Sequence, residues 1–471
     1  MRPGPKISEL ESQAIARAPY RTIAHLAWPQ LLMMVFHFFI GFVDVWVAGR
    51  IDPNVQAALG VITQSLFLFL VVATAVANGS VAAISQSMGA GLYKRIQRYV
   101  GLCLLIALAF GLVLLLLVLP LRGLVLDLMR IPAPMREVTH YFLTVFVCLL
   151  PPYYLLIVCN AVLRAQKRVM IPLYAMIIVT GLNTVLDLGL GLGWFGLPNL
   201  GARGVAWATF FSVCAGSAYS ILMLRRLSLL GRKSFAPWRW VRRALPYLLK
   251  VAVPSGVWHG VWHLGYMVLY AITASLPEGS VAALAGMAAG IRIESILFLP
   301  AFALNMTAGI LVGHMLGARR PNEAKRFGFR VLCMGVILVG LIGLCVYAFL
   351  GAIAAFLAPD PQVQAECVSY LFWNILAIPF TLVSMVLAGA FNGAGATLYN
   401  LAVMGVSTWA VRLPLAWWLG HQVFAAATGV WISMLCSQGV QALAMLYFYS
   451  FRDWQRFSMI KNRNLRETTA A

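Results

Sequence analysis

The sequence predicts an all-α integral membrane protein of twelve transmembrane helices, built as two six-helix bundles related by a pseudo-two-fold axis along the membrane normal. Three observations predict it. Hydrophobic residues make up 62% of the 471 residues and charged residues only 10%, against ~45–50% and ~25% in soluble globular chains. The apolar residues fall into twelve runs, each near or above the ~20 residues that a spanning helix needs. The first six runs are repeated in the second six. Twelve spans use nearly the whole chain, so the composition excludes a water-soluble enzyme and leaves no room for a sizeable soluble domain.

The runs lie at 24–49, 56–88, 97–121, 138–162, 169–193, 201–224, 249–275, 281–315, 328–352, 367–391, 398–420 and 425–449. Basic residues orient them. With both termini cytoplasmic, 28 of the 33 Lys and Arg at the ends of the runs or between them lie on the inner side, and five (Arg50, Arg122, Arg130, Arg136 and Arg203) on the outer side. That is the positive-inside bias of membrane proteins. It accounts for the formal net charge of +21 without a nucleic-acid partner. The residues before the first run are polar and include Glu9 and Glu11, which argues against a cleavable signal peptide. A multi-pass cell membrane protein is expected, in the inner membrane of a Gram-negative cell, embedded in the lipid bilayer as a monomer.

Four regions follow: an N-terminal lobe (1–224), a basic cytoplasmic linker (225–248), a C-terminal lobe (249–449) and a cytoplasmic tail (450–471). The stretch 225–250 holds eight basic residues and no acid, with Trp238 and Trp240 interleaved. Such a stretch suits the inner headgroup interface; the simpler reading is a connection between two halves.

The repeat is legible in short matches. WPQLL at 28–32 and VPSGV at 253–257 put Pro29 and Pro254 225 residues apart, and GVAW at 204–207 and GVWI at 429–432 keep that offset. MGA at 88–90 and LGA at 316–318 are 228 apart, as are Pro151 and Pro379. Six spans per copy give both copies the same orientation, with a cleft between them as the substrate path. Rocking of 1–224 against 249–449 is the expected motion.

An ionisable side chain at membrane depth costs at least ~2.5–3.5 kcal/mol on insertion scales, so each needs a reason. The candidates are Asp44, Asp187, Arg292, Glu294 and Arg412, with His37, His259 and His263. Asn183 and Asp187 are four residues apart and share a helical face. Asp44 and Asp187 each lie ~27–30 Å along a helix that starts at the inner surface, so the two carboxylates share a level. Two carboxylates and an amide oxygen suit H⁺ or Na⁺. The alternative is that each Asp only reaches the outer interface. Arg292 and Glu294 are two apart and point to nearly opposite faces. Arg412 reads as structural or as a charge partner. His259 and His263 share a face that either meets the cleft or bonds a neighbouring helix. The GxxxG runs at 286–290, 309–313 and 389–393 read as close helix packing.

Other chemistry has no support. The eight Cys are scattered without a Cys/His cluster, which implies neither disulfides nor a metal site. No phosphate-binding G-x-x-x-x-G-K-[ST], H-E-x-x-H or G-x-S-x-G motif occurs, so neither a nucleotide engine nor a hydrolase is supported. No cofactor is expected beyond a driving ion.

Four stretches resemble the multidrug and toxic compound extrusion (MATE) transporters, in order along nearly the whole chain. AWPQLL…FVDVWVAGRID, with Pro29 fifteen residues before Asp44, is similar to the family's first helix. SQSMGAG and GHMLGAR are similar to the ends of its second and eighth helices. LNTVLDLGLG followed by GARGVAWAT is similar to its fifth and sixth, and GIRIESILFLP to its eighth. The resemblance implies cation-coupled antiport of amphipathic, often cationic, organic compounds. In the DinF-like branch it implies an N-lobe cation site from residues matching Asp44, Asn183, Asp187 and Thr209, and a helix-1 bend at Pro29. The NorM-like branch carries acids on helices 7 and 10; here span 7 offers His259 and His263 instead. His37 stands where some relatives have glutamine. The alternative within the architecture is a flippase for lipid-linked saccharides, which usually has a more basic cleft than Arg292 and Arg412 provide.

Overall fold

The computed structural model describes residues 15, 17–129, 131–357 and 360–459. Glu9, Glu11, Arg130 and the tail from 460 onward, named above, lie outside the described residues, as do Arg2 and Lys6 of the basic-residue count. Twelve long helices follow one another: α1 Pro19–Ile51, α2 Pro53–Gly89, α3 Tyr93–Val118, α4 Ala133–Ala165, α5 Met170–Gly191, α6 Ala202–Arg226, α7 Trp238–Ala274, α8 Ser280–Gly317, α9 Pro321–Ala348, α10 Pro361–Ala394, α11 at 397–423 and α12 Ala427–Phe451. Ten are individually long and apolar enough to cross a membrane. The others are α7, which opens on a basic stretch, and α11, which π-turns interrupt twice. No strand occurs among the described residues.

Hydropathy marks where lipid contact begins, and a helix need not begin there. Apolar residues start near 249, yet α7 starts at Trp238. Arg239, Arg242 and Arg243 are good helix formers, so the charged stretch is helical before it is apolar. Only a short segment with a 3₁₀ turn, Arg232–Ser234, separates α6 from α7.

The chain divides into two compact units. One holds Trp28–Met88 and Leu92–Ala252. The other holds Val253–Ala471 with Gly89–Gly91 and the residues before Trp28. The division in α1 falls one residue before Trp28, next to Pro29, whose missing N–H removes a bond from the helix ladder.

In the first unit α4 packs against α3 and α6, and α5 packs against α6. Phe142, Leu149, Leu150 and Tyr154 are buried in the middle of α4, and the Tyr154 hydroxyl donates to the Phe69 carbonyl of α2. In the second unit α10 is central, packed on α8, α9 and α12. The GxxxG residues explain how closely α8 and α10 approach. A Cβ at Gly389 would stand 2.0 Å from the Asn305 carbonyl oxygen, and one at Gly393 2.1 Å from that of Gly309. Only hydrogen fits there, as close backbone crossings in membranes require. Asn305 Nδ2 then donates across the crossing to the Met385 carbonyl at 2.6 Å.

Candidate functional site: a buried carboxylate pair

α5 keeps α-helical geometry to Leu186, and Asp187 opens a π-turn, Asp187–Gly191. The sequence there is DLGLG, followed by Gly193 at φ +77°. The glycines let α6 come close: a Cβ at Gly204 would stand 2.2 Å from the Leu190 carbonyl oxygen. π-turns are uncommon and cluster at functional sites. This one sets Asp187 at the seam of α5 with its neighbours.

Asp44 of α1 meets the side chains of both Asn183 and Asp187. Asn183 and Asp187 are fully buried, and Asp44 is half-buried. Tyr153 of α4 lies near enough to feel the Asp44 charge. The groups meet without completing hydrogen bonds. Asp44 Oδ1, both Asp187 oxygens, Asn183 Oδ1 and Nδ2, and the Thr184 hydroxyl are buried without a partner. Buried polar groups are normally satisfied, and two adjacent carboxylates cannot both keep their charge cheaply. A proton shared between the two carboxylates, or a small cation among these oxygens, would give the acceptors a partner. The donor chemistry therefore fits H⁺ or Na⁺.

The other predicted residues distribute as follows. Thr209 is buried on α6, and its hydroxyl donates to its own helix at the Val205 carbonyl, 3.3 Å away. His37 lies two turns before Asp44 on the same face of α1 and is exposed on its unit. In the second unit, His259 Nδ1 is 2.6 Å from the Ser255 carbonyl oxygen, again within one helix. His263 packs its ring beside Trp262. Arg292 is exposed whereas Glu294, two residues on, is buried. Among the described residues no group of three or more His, Cys, Asp or Glu is arranged for a metal ion.

Glu294 and Arg412 belong to a second buried polar cluster, drawn from α7, α8, α10, α11 and α12. Glu294 Oε2 accepts from the Tyr370 hydroxyl at 2.5 Å. Gly290, one turn before Glu294, makes room for that ring: a Cβ there would stand 2.2 Å from Tyr370 Cδ1. Arg412 Nε donates to Ser437 Oγ at 2.9 Å, and its guanidinium lies over the Tyr266 ring at 5.8 Å. Tyr153, Tyr266, Tyr370 and Ser437 were not singled out from the sequence. Only Ser437 left a signal there: it is 225 residues after Ser212.

Comparison with known proteins defines the class. The MatE family model matches residues 29–188 and 261–418, one block in each half of the chain. The chain belongs to the MatE family, whose members are membrane transporters and not enzymes. It is 24% identical over 458 residues to a probable multidrug resistance protein NorM of Thermotoga maritima, covering 95% of this chain and 96% of that one. It is 25% identical over 485 residues to the multidrug resistance protein PmpM of Pseudomonas aeruginosa, covering 97% and 96%. A crystal structure of MATE in the bent conformation has the same fold, with a TM-score of 0.86 at 19% identity over 98% of this chain and 99% of that one. This is therefore a multi-pass membrane protein of twelve-helix MATE architecture.

Proposed function

We propose that the protein exports amphipathic, cationic organic compounds in exchange for a cation by alternating access, and that the cation binds at Asp44, Asn183 and Asp187. The carrying observation is the set of buried oxygens without partners at that site. A group must bind and release the driving ion in every cycle, and an acceptor-rich pocket with no cation of its own suits that task. H⁺ is the first choice, because two close carboxylates can hold a proton between them. The multidrug resistance names of the relatives support the substrate class. Thr209 supports the site from α6, Pro29 acts as the hinge of α1, and His37, His259 and His263 contribute to the substrate path.

Asp187→Asn tests the site. It keeps the shape of the side chain and the π-turn, removes one titratable group, and should cut gradient-driven efflux about tenfold or more while expression is unchanged. Dye efflux from energised vesicles measures it; wild-type efflux would refute the assignment of Asp187. Orientation is tested separately. Both termini are cytoplasmic in this reading, because 28 of 33 basic residues then lie inside. Reporter fusions at residue 230 and at the C-terminus should both report the cytoplasm.

A further inference from the structure

Charge is distributed asymmetrically between the two repeats. Among the described residues, Asp187 and Glu294 are the only Asp or Glu buried as whole residues, Asp44 being half-buried, and Arg412 is the only Lys or Arg so buried. Counting back 225 residues from Arg412, the offset that relates Pro29 to Pro254 and GVAW to GVWI, reaches Asp187. A second offset, 229, relates the helix-end caps Gln166 and Gly395. It also relates the carbonyls of Leu190 and Leu419, which Cβ atoms at Gly204 and Gly429 would approach to 2.2 and 2.4 Å. Counting back 229 from Arg412 reaches Asn183. Asn183 and Asp187 are one turn apart on one face. In either register, Arg412 stands where the N-terminal repeat holds its cation-seeking acceptors. Asp187 opens one π-turn, Asp187–Gly191, and Arg412 closes another, Ser407–Arg412.

Hydrogen-bond satisfaction differs in the same sense. At the N-terminal site Asp44 Oδ1 and both Asp187 oxygens are without a partner; in the C-terminal repeat Glu366 Oε2, near the start of α10 and outside the Glu294–Arg412 cluster, is too. In the C-terminal repeat Glu294 takes the Tyr370 hydroxyl and Arg412 is anchored on Ser437. No atom of Glu294, Tyr370, Arg412 or Ser437 is among the buried groups lacking a partner. Arg412 and Glu294 make no direct ion pair; Tyr266, whose ring lies under the Arg412 guanidinium, and Tyr270 are near enough to feel the Glu294 charge, and Glu294 is near enough to feel that of Arg412. Removing one partner from a buried charge pair leaves the other uncompensated.

We propose that Arg412 is a resident cation. It supplies Glu294 with a tethered counter-charge in place of a mobile one, and so confines ion binding to the N-terminal repeat. This rests on the reading of Asp44 and Asp187 as the ion site. A cation fixed to α11 cannot leave, so the C-terminal cluster does not load and unload during transport.

The test uses purified full-length protein, with melting temperature read in Na⁺ against choline at equal ionic strength and, in parallel, across a pH series. An Asp44→Asn background silences the N-terminal site and should show no Na⁺ shift. Adding Arg412→Gln should create a new ion-dependent shift of roughly 2–4 °C in one of the two series, and adding Glu294→Gln as well should remove it. Arg412→Lys should create none. The proposal is overturned if Arg412→Gln gains no shift that depends on Glu294. It is also overturned if the Asp44→Asn protein, with Arg412 in place, already has a shift that Glu294→Gln removes. Should Arg412→Gln fail to fold, recovery of folded protein by Glu294→Gln supports the pairing and continued misfolding overturns it. An ion shift in Asp44→Asn that Glu294→Gln leaves intact would instead count against the Asp44 site, with the gain in Arg412→Gln still deciding the role of Arg412.

Discussion

Asp44→Asn should insert, fold and reach wild-type abundance, yet lose gradient-driven efflux altogether. The substitution keeps the size and polarity of the side chain and gives Asp187 an amide neighbour in place of a second carboxylate. It relieves the crowding of like groups, so stability should be equal or higher. What it removes is the ability to exchange a proton or hold a cation. For one-for-one exchange of H⁺ against a monovalent cation, each pH unit across the membrane sustains about a tenfold substrate gradient. The variant should sustain none, and vesicles should only equilibrate the dye. Dye accumulation in inverted vesicles with an imposed pH gradient measures this, with abundance checked by size-exclusion chromatography. A well-folded variant that accumulates dye as wild type does would remove Asp44 from the mechanism.

The largest effect on stability should come from Gly389→Leu. Its Cβ alone would fall 2.0 Å from the Asn305 carbonyl oxygen, which is backbone and cannot yield. α8 and α10 would have to separate, breaking the Asn305–Met385 hydrogen bond and opening the centre of that unit. Overpacking typically costs about 1–3 kcal/mol and occasionally more; a clash with backbone at a helix crossing belongs at the upper end. The variant should melt several degrees lower or fail to yield monodisperse protein. Gly340→Leu is the control, because nothing lies within 4 Å of a Cβ there, and it should melt within about a degree of wild type. Equal melting temperatures for the two variants would contradict this account of the crossing.

Much of the fold could be read from the sequence, because a bilayer imposes a coarse constraint. Backbone groups in lipid must be bonded within the protein, which leaves helices and closed barrels; continuous apolar runs of ~20 residues suit helices, and the twelve runs correspond to twelve helices. The pairing of Asp44 with Asp187 was also legible: the i, i+4 spacing of Asn183 and Asp187 and the common depth of the two Asp residues depend on helix geometry alone. Helix starts set by charged residues were less visible. α7 begins eleven residues before its apolar run does, since helix propensity and lipid contact are separate properties. The π-turns in α5 and α11 left no periodic signature, because one extra residue in a turn is invisible in a hydrophobic pattern. Tyr370 beside Glu294 depends on Gly290 clearing space between two helices far apart in sequence. Such a contact is set by packing and has no local pattern to announce it.

The central claim is that a cation moving through the Asp44–Asn183–Asp187 site drives export. Purified protein in liposomes, loaded with a fluorescent organic cation and given a pH gradient or a Na⁺ gradient in turn, tests it most directly. The account predicts uphill dye movement under one gradient, with the pH gradient the first expectation, and its complete loss in Asp44→Asn. Uphill movement that neither gradient alters, or that Asp44→Asn leaves intact, would contradict it.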